Sequence, residues 1–338
     1  MIMMSSQTLL ENTHFPVMLN EVFDLCFSKK RVDLLDCTFG GGGYSREFLK
    51  IPNSNVVAID RDTKVIQVAQ EFKKKHKNRF IFFNNRFSQI EKILSKKKFD
   101  AIIFDLGLST IQLKDYTRGF SFNSEFDLDM RMDPNSTKVE DIINNCSEEL
   151  LKKIIKDLGD EGDAGLISKN IAKARKLKKI IKVKELAEII KKSKKYQYSK
   201  INPCTKTFQA LRIFANKEIS ELINGIASAT KFLKPGGKLI IISFHSIEDK
   251  IVKYYFKNYS SNKARGSRYL PEIPKKDTSL FEVYKNKIIR PSLKEVEANP
   301  PSRSAKLRFV IRNSNNYQFP NDLIIKFKNL LNLESAYV

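Results

Sequence analysis

The sequence has no tryptophan, only 4 cysteines and 3 histidines, and few glycines (13) and prolines (11) for its 338 residues. So little cysteine, with no CxxC pair, excludes a disulfide scaffold and predicts reduced thiols without a structural metal. The low glycine and proline content excludes collagen-like and low-complexity chains. Apolar runs stay far below the roughly 20 residues that cross a bilayer. No lysine or arginine precedes Lys29, so we expect a cytoplasmic protein without signal peptide or membrane segment.

Positive charge, by contrast, is abundant. The chain carries 61 Lys+Arg against 38 Asp+Glu, a formal net charge of +23 with a pI near 9.7. The excess is concentrated in residues 169–200, with 13 basic and 2 acidic residues, and in residues 253–312, with 15 and 5. Clustered basic residues favour a polyanionic partner such as nucleic acid. A general compositional bias towards lysine is the alternative explanation.

The order of predicted elements indicates an α/β fold. Buried strands alternate with amphipathic helices, which predicts a mostly parallel, Rossmann-like sheet with helices on both faces. The strands are expected at residues 32–38, 56–60, 80–83, 101–104 and 238–244. Between the last two, residues 112–134 lack periodicity, residues 139–195 are helical, and a long amphipathic helix follows Pro203. The sheet is therefore interrupted by a helical insertion.

A glycine-rich loop follows the first predicted strand. Residues 36–45 read DCTFGGGGYS, and Asp60 ends the next strand 20 residues after Gly40. Glycines let the backbone approach a ligand, and an acidic residue at this spacing binds the ribose of a nucleoside cofactor. Ser45 stands where a dinucleotide fingerprint has its third glycine, which favours S-adenosylmethionine over NAD. An ordinary turn followed by an acidic helix cap is the alternative.

Further polar residues end the other strands of the predicted sheet. Asp36 and Asp105 could form an acidic floor for a sulfonium cofactor, and Asp105 is our first candidate for orienting the donor or the substrate. His245 and Ser243, at the end of the last parallel strand, are weaker catalytic candidates. A lone histidine is more often structural than catalytic.

These motifs together resemble the bacterial 16S rRNA (cytosine-N4)-methyltransferase family, also called RsmH or MraW. The similarity extends over most of residues 14–257, and residues 299–308 (NPPSRSAKLR) resemble the closing motif of the family. The blocks that carry it are HFPVMLNE at 14–21, the glycine loop at 36–45, AIDRD at 58–62, DLGLS at 105–109 with Gln112, RGFSF at 118–122, LDMRMD at 128–133, residues 203–218 and residues 233–249.

The resemblance implies a class I S-adenosylmethionine-dependent methyltransferase that acts on a cytidine in the decoding region of 16S rRNA, in the small ribosomal subunit. It implies a methyltransferase domain in two parts, 1–114 and 214–338 with a basic C-terminal tail, around a helical substrate-recognition domain, 115–213. No metal is implied, and both a monomer and a homodimer are compatible with it. The implied cofactor contacts are Gly42, Gly43 and Tyr44 for the methionine part, Asp60 for the ribose, Phe87 for the adenine, and Asp105 with Gln112 to complete the pocket.

Three positions depart from the family pattern. Tyr44 replaces a histidine, Lys206 replaces an arginine that could form a bidentate fork, and residues 162–165 (GDAG) replace basic residues. Two other functions use the same features: a nicotinamide oxidoreductase, and an RNA-binding protein that senses the cofactor without catalysis. We expect RNA methylation, with roles in rRNA processing and ribosome biogenesis.

Overall fold

A six-stranded sheet forms the core of the molecule. The computed structural model describes residues 16–26, 31–194, 202–261 and 279–337. The sheet has the order β3-β2-β1-β4-β5-β6, and all neighbouring strands are parallel except β6, which runs antiparallel to β5. The strands are β1 (Asp33–Asp36), β2 (Asn55–Asp60), β3 (Phe80–Asn84), β4 (Phe99–Asp105), β5 (Leu233–Ser243) and β6 (Lys306–Ile311).

The strand order reverses at β1, which lies between β2 and β4. The chain crosses over in opposite directions on the two sides of this point, which opens a crevice at the carboxyl ends of the strands. The register brings Asp36 of β1 beside Ile103 of β4, and Asp105 beside Ile242 of β5. Consecutive residues of β1, β2 and β4 are buried, as expected when both faces of a parallel sheet are covered.

Helices alternate with the strands along the chain. The described α-helices are α1 (Leu19–Cys26), α2 (Gly43–Lys50), α3 (Ile66–His76), α4 (Ile90–Ile93), α5 (Thr110–Lys114), α6 (Val139–Asn145), α7 (Glu148–Gly159), α8 (Ala164–Leu177), α9 (Val183–Ser193), α10 (Thr205–Asn216), α11 (Glu218–Thr230), α12 (Ser246–Asn258), α13 (Leu293–Ala298), α14 (Asn321–Lys326) and α15 (Lys328–Glu334). Among the described residues, none of these helices combines the length and hydropathy needed to cross a bilayer.

The chain divides into two compact units. The first contains Met1–Gly107 and Leu222–Leu323, and therefore the whole sheet; the second contains Leu108–Glu221 and Ile324–Val338, and is helical. The predicted insertion, 115–213, lies inside the second unit, which is wider at both ends. The last residues, which the sequence analysis assigned to the methyltransferase domain, group with the helical unit instead.

The predicted α/β fold is confirmed: the class I, Rossmann-like sheet is mostly parallel, and all five predicted strands are present within a few residues of their expected ends. The basic C-terminal region also contributes β6, which the sequence analysis did not predict. Lys306 and Arg308 stand beside apolar residues in this strand, in which Leu307, Arg308 and Val310 are buried. Residues 195–201 and 262–278 of the two basic stretches, and His14, lie outside the described residues.

The long helix predicted after Pro203 is two helices. The chain breaks at Lys217, whose φ of 51° is left-handed, between α10 and α11. Within the second unit, the Asn216 amide accepts a hydrogen bond from Met132 N–H and donates one to Met130 O, both at 2.7 Å. These bonds hold the irregular segment before α6 against the end of α10. The helix therefore ends at a tertiary contact, although the apolar periodicity of the sequence continues past this point.

A buried glutamate near the C-terminus caps a helix of the second unit. Glu334, 1% exposed at the end of α15, accepts hydrogen bonds from Ile219 N–H (2.8 Å) and Ser220 N–H (2.7 Å) at the start of α11. The first N–H groups of a helix have no partner within the helix, and a carboxylate at that position also interacts favourably with the helix dipole. The C-terminal helix therefore caps α11 through one side chain.

We expect Glu334→Ala to lower the free energy of unfolding by about 1–3 kcal/mol, because it leaves the buried N–H of Ile219 and the partly buried N–H of Ser220 without this acceptor. Urea denaturation followed by circular dichroism measures the loss. Asn332→Ala, at an exposed position of the same helix, is the control and should stay close to wild type. Equal stability of the two variants would contradict the capping role.

Candidate cofactor and catalytic site

Asp36 is the central buried carboxylate of the first unit. It ends β1, is fully buried, and accepts hydrogen bonds from Ser45 Oγ (2.7 Å) and Thr38 N–H (3.3 Å). Burial raises the pKa of Asp36 to about 6, against the effect of these bonds. Thr38 in turn accepts a hydrogen bond from Asp105 N–H through its Oγ1, at 2.8 Å. Asp36 thus connects the glycine loop to the end of β4.

Packing of neighbouring side chains, and not only room for a ligand, requires glycines in the loop. Gly42 has a φ of +73°, and a Cβ there would lie 2.7 Å from the Phe72 ring. A Cβ on Gly43 would lie 2.9 Å from Pro16. Gly41, in contrast, has open space around the position of a Cβ and is exposed. At Gly42 and Gly43, the two glycines predicted to contact the cofactor, neighbouring side chains leave no room for a Cβ, whereas Gly41 faces free space.

Asp60 ends β2 beside this loop. Its Oδ2 accepts a hydrogen bond from Gly40 N–H (2.7 Å) and its Oδ1 accepts one from Asp62 N–H (2.9 Å). Each oxygen therefore keeps a lone pair for a hydroxyl group. Burial raises the pKa of Asp60 to about 6. Two acceptors at the end of β2 suit the two hydroxyls of a ribose.

Phe87 lies after β3 at the same edge of the sheet. Its ring is partly exposed and packs edge-on against Phe104, with 5.2 Å between the ring centroids. Gly225 lies directly against the ring: a Cβ there would be 2.8 Å from Phe87 Cε2. The ring is therefore fixed on one side and accessible on another, as a platform for a planar base requires. The sequence offered no signal for Phe87 apart from the family resemblance.

Asp105 ends β4 with one carboxylate oxygen unsatisfied. Among the described residues, its buried Oδ1 has no hydrogen-bond partner. Burial, together with the charges of Asp36, Glu248 and Glu295, raises the pKa of Asp105 well above its usual value, although the nearby Tyr44 hydroxyl opposes the shift. A buried polar atom without a partner is costly. A cationic or hydrogen-bonding ligand would therefore supply the partner that Asp105 Oδ1 lacks.

Tyr44 is a buried structural residue of α2. Its hydroxyl donates a hydrogen bond to Val17 O, and 3% of the residue is exposed. Burial and the charge of Asp105 raise its pKa well above the usual value, so it stays neutral. Tyr44 therefore fixes the segment before α1 next to the glycine loop. Contact with the methionine part of a cofactor stays a prediction.

The contacts of His245 and Ser243 are structural. His245 is the N-cap of α12: its Nδ1 accepts from Glu248 N–H at 3.4 Å, while its Nε2 lies 3.1 Å from Glu248 Oε1 without hydrogen-bond geometry. Ser243 is 1% exposed and its Oγ donates to Lys306 O at 3.4 Å. Catalytic roles for both stay predictions, and the capping contact is the ordinary use of such a residue.

Gln112 belongs to the second unit. Its side chain is 5% exposed and accepts a hydrogen bond from Ser109 N–H (3.0 Å), while Ser109 Oγ accepts from Gln112 N–H, which forms a capping box at the start of α5. Its predicted contact with the cofactor also stays a prediction. Lys206, the departure from arginine, donates one hydrogen bond to Asp160 O at 2.7 Å, as a point charge can.

Three residues at this edge were missed by the sequence analysis. Thr38 holds Asp105 N–H, Glu248 Oε2 accepts from Phe244 N–H at 2.8 Å, and Glu295 Oε1 accepts from Met18 N–H at 2.6 Å. A capping-box spacing marks Glu248, since it follows the N-cap His245 by three residues. Glu295 comes from a distant part of the chain, so no local pattern could have placed it here.

The site fits a positively charged nucleoside. It combines an open backbone at Gly41, free lone pairs on Asp60, a partly exposed ring at Phe87 and an orphaned oxygen on Asp105. Several carboxylates with raised pKa values lie close enough to repel each other, which favours a ligand that brings positive charge. S-adenosylmethionine carries a sulfonium, an amino group, a ribose and an adenine that match these features.

Comparison with known proteins identifies the family of the chain. The model of the MraW methylase family matches residues 11–313. The chain belongs to the MraW methylase family. This confirms the family resemblance and the class I methyltransferase fold. S-adenosylmethionine, predicted from the glycine loop and Asp60, is confirmed as the cofactor, and the nicotinamide alternative is dropped.

Curated relatives in this family are similar over nearly their whole length. The chain is 42% identical over 300 residues to the Ribosomal RNA small subunit methyltransferase H of Rickettsia canadensis, covering 88% of this chain and 97% of that protein. The proteins of the same name from Rickettsia bellii (41%, 88% and 98%) and Rickettsia typhi (40%, 87% and 97%) are similar to the same extent. A solved rRNA methylase from Streptococcus thermophilus is remote, at 10% identity and a TM-score of 0.39 over 89% of this chain and 98% of that one, and carries no argument.

We expect S-adenosylmethionine to bind more tightly as the pH rises from 5 to 7. Asp36 and Asp60, with pKa values of about 6, lose their protons in this range, and the carboxylates then accept ribose hydroxyls and attract the cationic ligand. Calorimetry across the range measures the affinity. Asp60→Asn should bind more weakly with a flatter pH profile; a wild-type affinity independent of pH would contradict the assignment.

Proposed function

We propose that this protein methylates the exocyclic N4 amine of a cytidine in the decoding region of 16S rRNA, using S-adenosylmethionine, in the cytoplasm. The small-subunit rRNA is the substrate named for the curated relatives, which share about two fifths of their residues with nearly this whole chain. The choice of N4 comes from the resemblance to the cytosine-N4 methyltransferases. The observation that carries the proposal is the buried Oδ1 of Asp105, which has no hydrogen-bond partner among the described residues, at the carboxyl edge of the sheet.

Asp105 suits an amine as the group to be methylated. The exocyclic N4 of cytosine is a hydrogen-bond donor, and its lone pair is drawn into the ring, so it must be held in position and lose a proton. Burial raises the pKa of Asp105 well above its usual value, which disfavours the charged form in the free protein. A positive charge beside it would lower that pKa and give a carboxylate that accepts a hydrogen bond from N4.

The remaining residues would position the reactants. S-adenosylmethionine supplies an electrophilic methyl group on a sulfonium. Asp60 would hold the ribose and Phe87 the adenine, while the glycine loop would place the methionine part, so positioning would supply much of the rate. After transfer, positive charge would lie on N4, and Asp105, again buried among acidic groups, would accept the N4 proton.

The target base must leave its stack to reach a buried group such as Asp105, as in other enzymes that act on bases. The second unit offers a partly exposed ring for stacking at Phe122, which packs edge-on against Phe208 at 6.2 Å. Phe120, the other aromatic of this motif, is buried beneath the Arg118 guanidinium, 5.2 Å from its ring centroid. We therefore propose that Phe122, rather than Phe120, is the ring of this motif that can stack on an RNA base.

The second unit carries an unpaired stripe of lysines, which supports its assignment to substrate recognition. Lys169, Lys173 and Lys176 are exposed at i, i+4 and i+7 of α8, on one face of the helix, and form no salt bridge with described residues. Some later lysines are paired, Lys178 with Glu185 (2.8 Å) and Lys182 with Asp127 (2.7 Å). The three α8 lysines form one group of cations on a single helix face that is available for RNA phosphates.

We expect Asp105→Asn to reduce single-turnover methyl transfer by about 100- to 10,000-fold, because the amide cannot accept the N4 proton. The reaction is followed with small-subunit RNA and labelled S-adenosylmethionine, and mass spectrometry locates the methyl group on the cytidine. Asp24→Asn, at an exposed position of α1, should behave as wild type. Full turnover by Asp105→Asn, or a methyl group elsewhere than on N4, would overturn the proposal.

Replacing Lys169, Lys173 and Lys176 by glutamine should weaken RNA binding at least about tenfold at 0.1 M salt. The slope of log affinity against log salt should fall by about 2 to 3 units, because up to three phosphate contacts are lost. Filter binding over a salt series measures both quantities. The control replaces the exposed Lys73, Lys74 and Lys75 of α3, which removes the same charge elsewhere. Equal salt slopes for the two triple variants would exclude the α8 stripe as an RNA contact.

A further inference from the structure

A second polar site lies at the other edge of the sheet. It is a pocket of about 230 Å³ within the first unit, next to the starts of β4 and β5 and the end of β6. Four basic side chains line it, Lys98, Lys231, Lys234 and Arg312, together with residues 313–317. We call it the basic pocket. It has no part in the methyl-transfer site described above.

Two of its four cations already have carboxylate partners. Lys231 lies 2.7 Å from Glu91, and Lys234 bridges Asp33 (2.8 Å) and Asp100 (2.9 Å). Hydrogen bonds from Asn55 and Lys234 overcome the effect of burial and lower the pKa of Asp33 to about 2. Lys234 is therefore neutralised within the fold, and Lys231 partly so because both members of its pair are exposed.

The other two cations have only neutral partners in the part of the chain that the structure describes. Lys98 donates to Lys231 O. Arg312, 6% exposed, donates to Leu280 O and Asn313 O (both 2.9 Å), to Asn313 Oδ1 and to Asn315 O. A buried guanidinium is normally paired with a carboxylate. Here the pocket contains a charge that no carboxylate of the described residues balances.

The same two groups also repel each other. Burial, Arg312 and Lys231 lower the pKa of Lys98, and burial lowers the pKa of Arg312. Both shifts mean that the charged forms are disfavoured in the free protein. An anion in the pocket would reverse the effect for both groups at once, and exposed polar residues at its rim, Ser314 and Asn316, could add hydrogen bonds.

We propose that the basic pocket binds a phosphate group of the RNA backbone. This phosphate belongs to a part of the RNA that is distant from the nucleotide that is methylated. The pocket lies beside Phe99, six residues before Asp105 on β4, so about 20 Å of strand separates it from the catalytic edge. A single nucleotide cannot bridge that distance, whereas a folded RNA with several helices can. This inference rests on the proposed function, because it takes RNA to be the substrate.

The chemistry of the lining favours RNA over an acidic protein. A phosphodiester carries a localised charge and oxygens that accept from lysine, arginine, amide and hydroxyl donors, all of which line the pocket. Its volume, several times the roughly 30 Å³ that a water molecule occupies in the liquid, accommodates a phosphate. The net charge of +23 also favours a long polyanion.

Lys98→Gln tests this contact directly, because the amide still donates to Lys231 O while the charge is lost. A second variant, Ser314→Glu, places a negative charge at the exposed rim without removing any hydrogen bond of the described residues. Lys74→Gln, an exposed position on α3, is the matched control for net charge. Binding is measured over a salt series with a long small-subunit RNA fragment and with a short hairpin that contains only the target region.

For the long RNA we expect Lys98→Gln to weaken binding by about 3- to 10-fold, and to lower the salt slope by about 0.7 to 0.9 unit. Ser314→Glu should weaken binding of the long RNA more than Lys98→Gln does. The short hairpin, the turnover rate at saturating RNA and S-adenosylmethionine binding should stay at wild-type values, as should all properties of Lys74→Gln.

Unchanged affinity of both pocket variants for the long RNA, while the wild type still methylates it, would overturn the inference and leave the proposed function standing. If the wild type binds or methylates no RNA, the proposed function fails instead. Calorimetry with inorganic phosphate tests whether the pocket binds a free anion instead of RNA. If Lys98→Gln abolishes the heat of phosphate binding but leaves the RNA affinity unchanged, the pocket is a site for a free anion and the RNA assignment is wrong.

Discussion

The burial of Asp36 is the constraint on which the functional site depends. Its carboxylate holds Ser45 and Thr38, and Thr38 holds the backbone of Asp105, so one buried charge fixes the glycine loop and the end of β4 together. Burial also raises the pKa of this group, and the same holds for Asp60 and Asp105. The first unit therefore gathers at one edge of its sheet several carboxyl groups whose charged forms are disfavoured, and a cationic ligand would stabilise those charged forms.

Basic side chains differ from these carboxyl groups in that some are paired and others are not. Several lysines of the helical unit are paired with acidic residues, whereas the three exposed lysines of the α8 stripe form no salt bridge with described residues. At the amino edge of the sheet, Lys98 and Arg312 are left without a carboxylate partner among the described residues. Net charge alone indicated a polyanionic partner; the pairing of individual side chains indicates where that partner would be held.

Local patterns predicted much of the fold. The five parallel strands were visible because a strand buried on both faces is a short continuous apolar run. β6 was not visible because basic residues interrupt its apolar ones, and the pairing with β5 that makes it a strand is a contact between residues about 70 positions apart. The break at Lys217 was missed for a similar reason: the periodicity continues across it, and the contact of Asn216 with the segment before α6 is tertiary.

By itself, the sequence determined the fold class, the nucleoside cofactor and the family, because glycines, an acidic residue at the right spacing and alternating apolar runs are local signals. Only the tertiary structure decided which glycine faces open space, that His245 caps a helix, that Glu295 and Glu248 surround Asp105, and which cations lack a partner. Each of these depends on distances between residues that are far apart in the chain, and on burial, which sets both the pKa of a carboxyl group and the cost of leaving it without a partner.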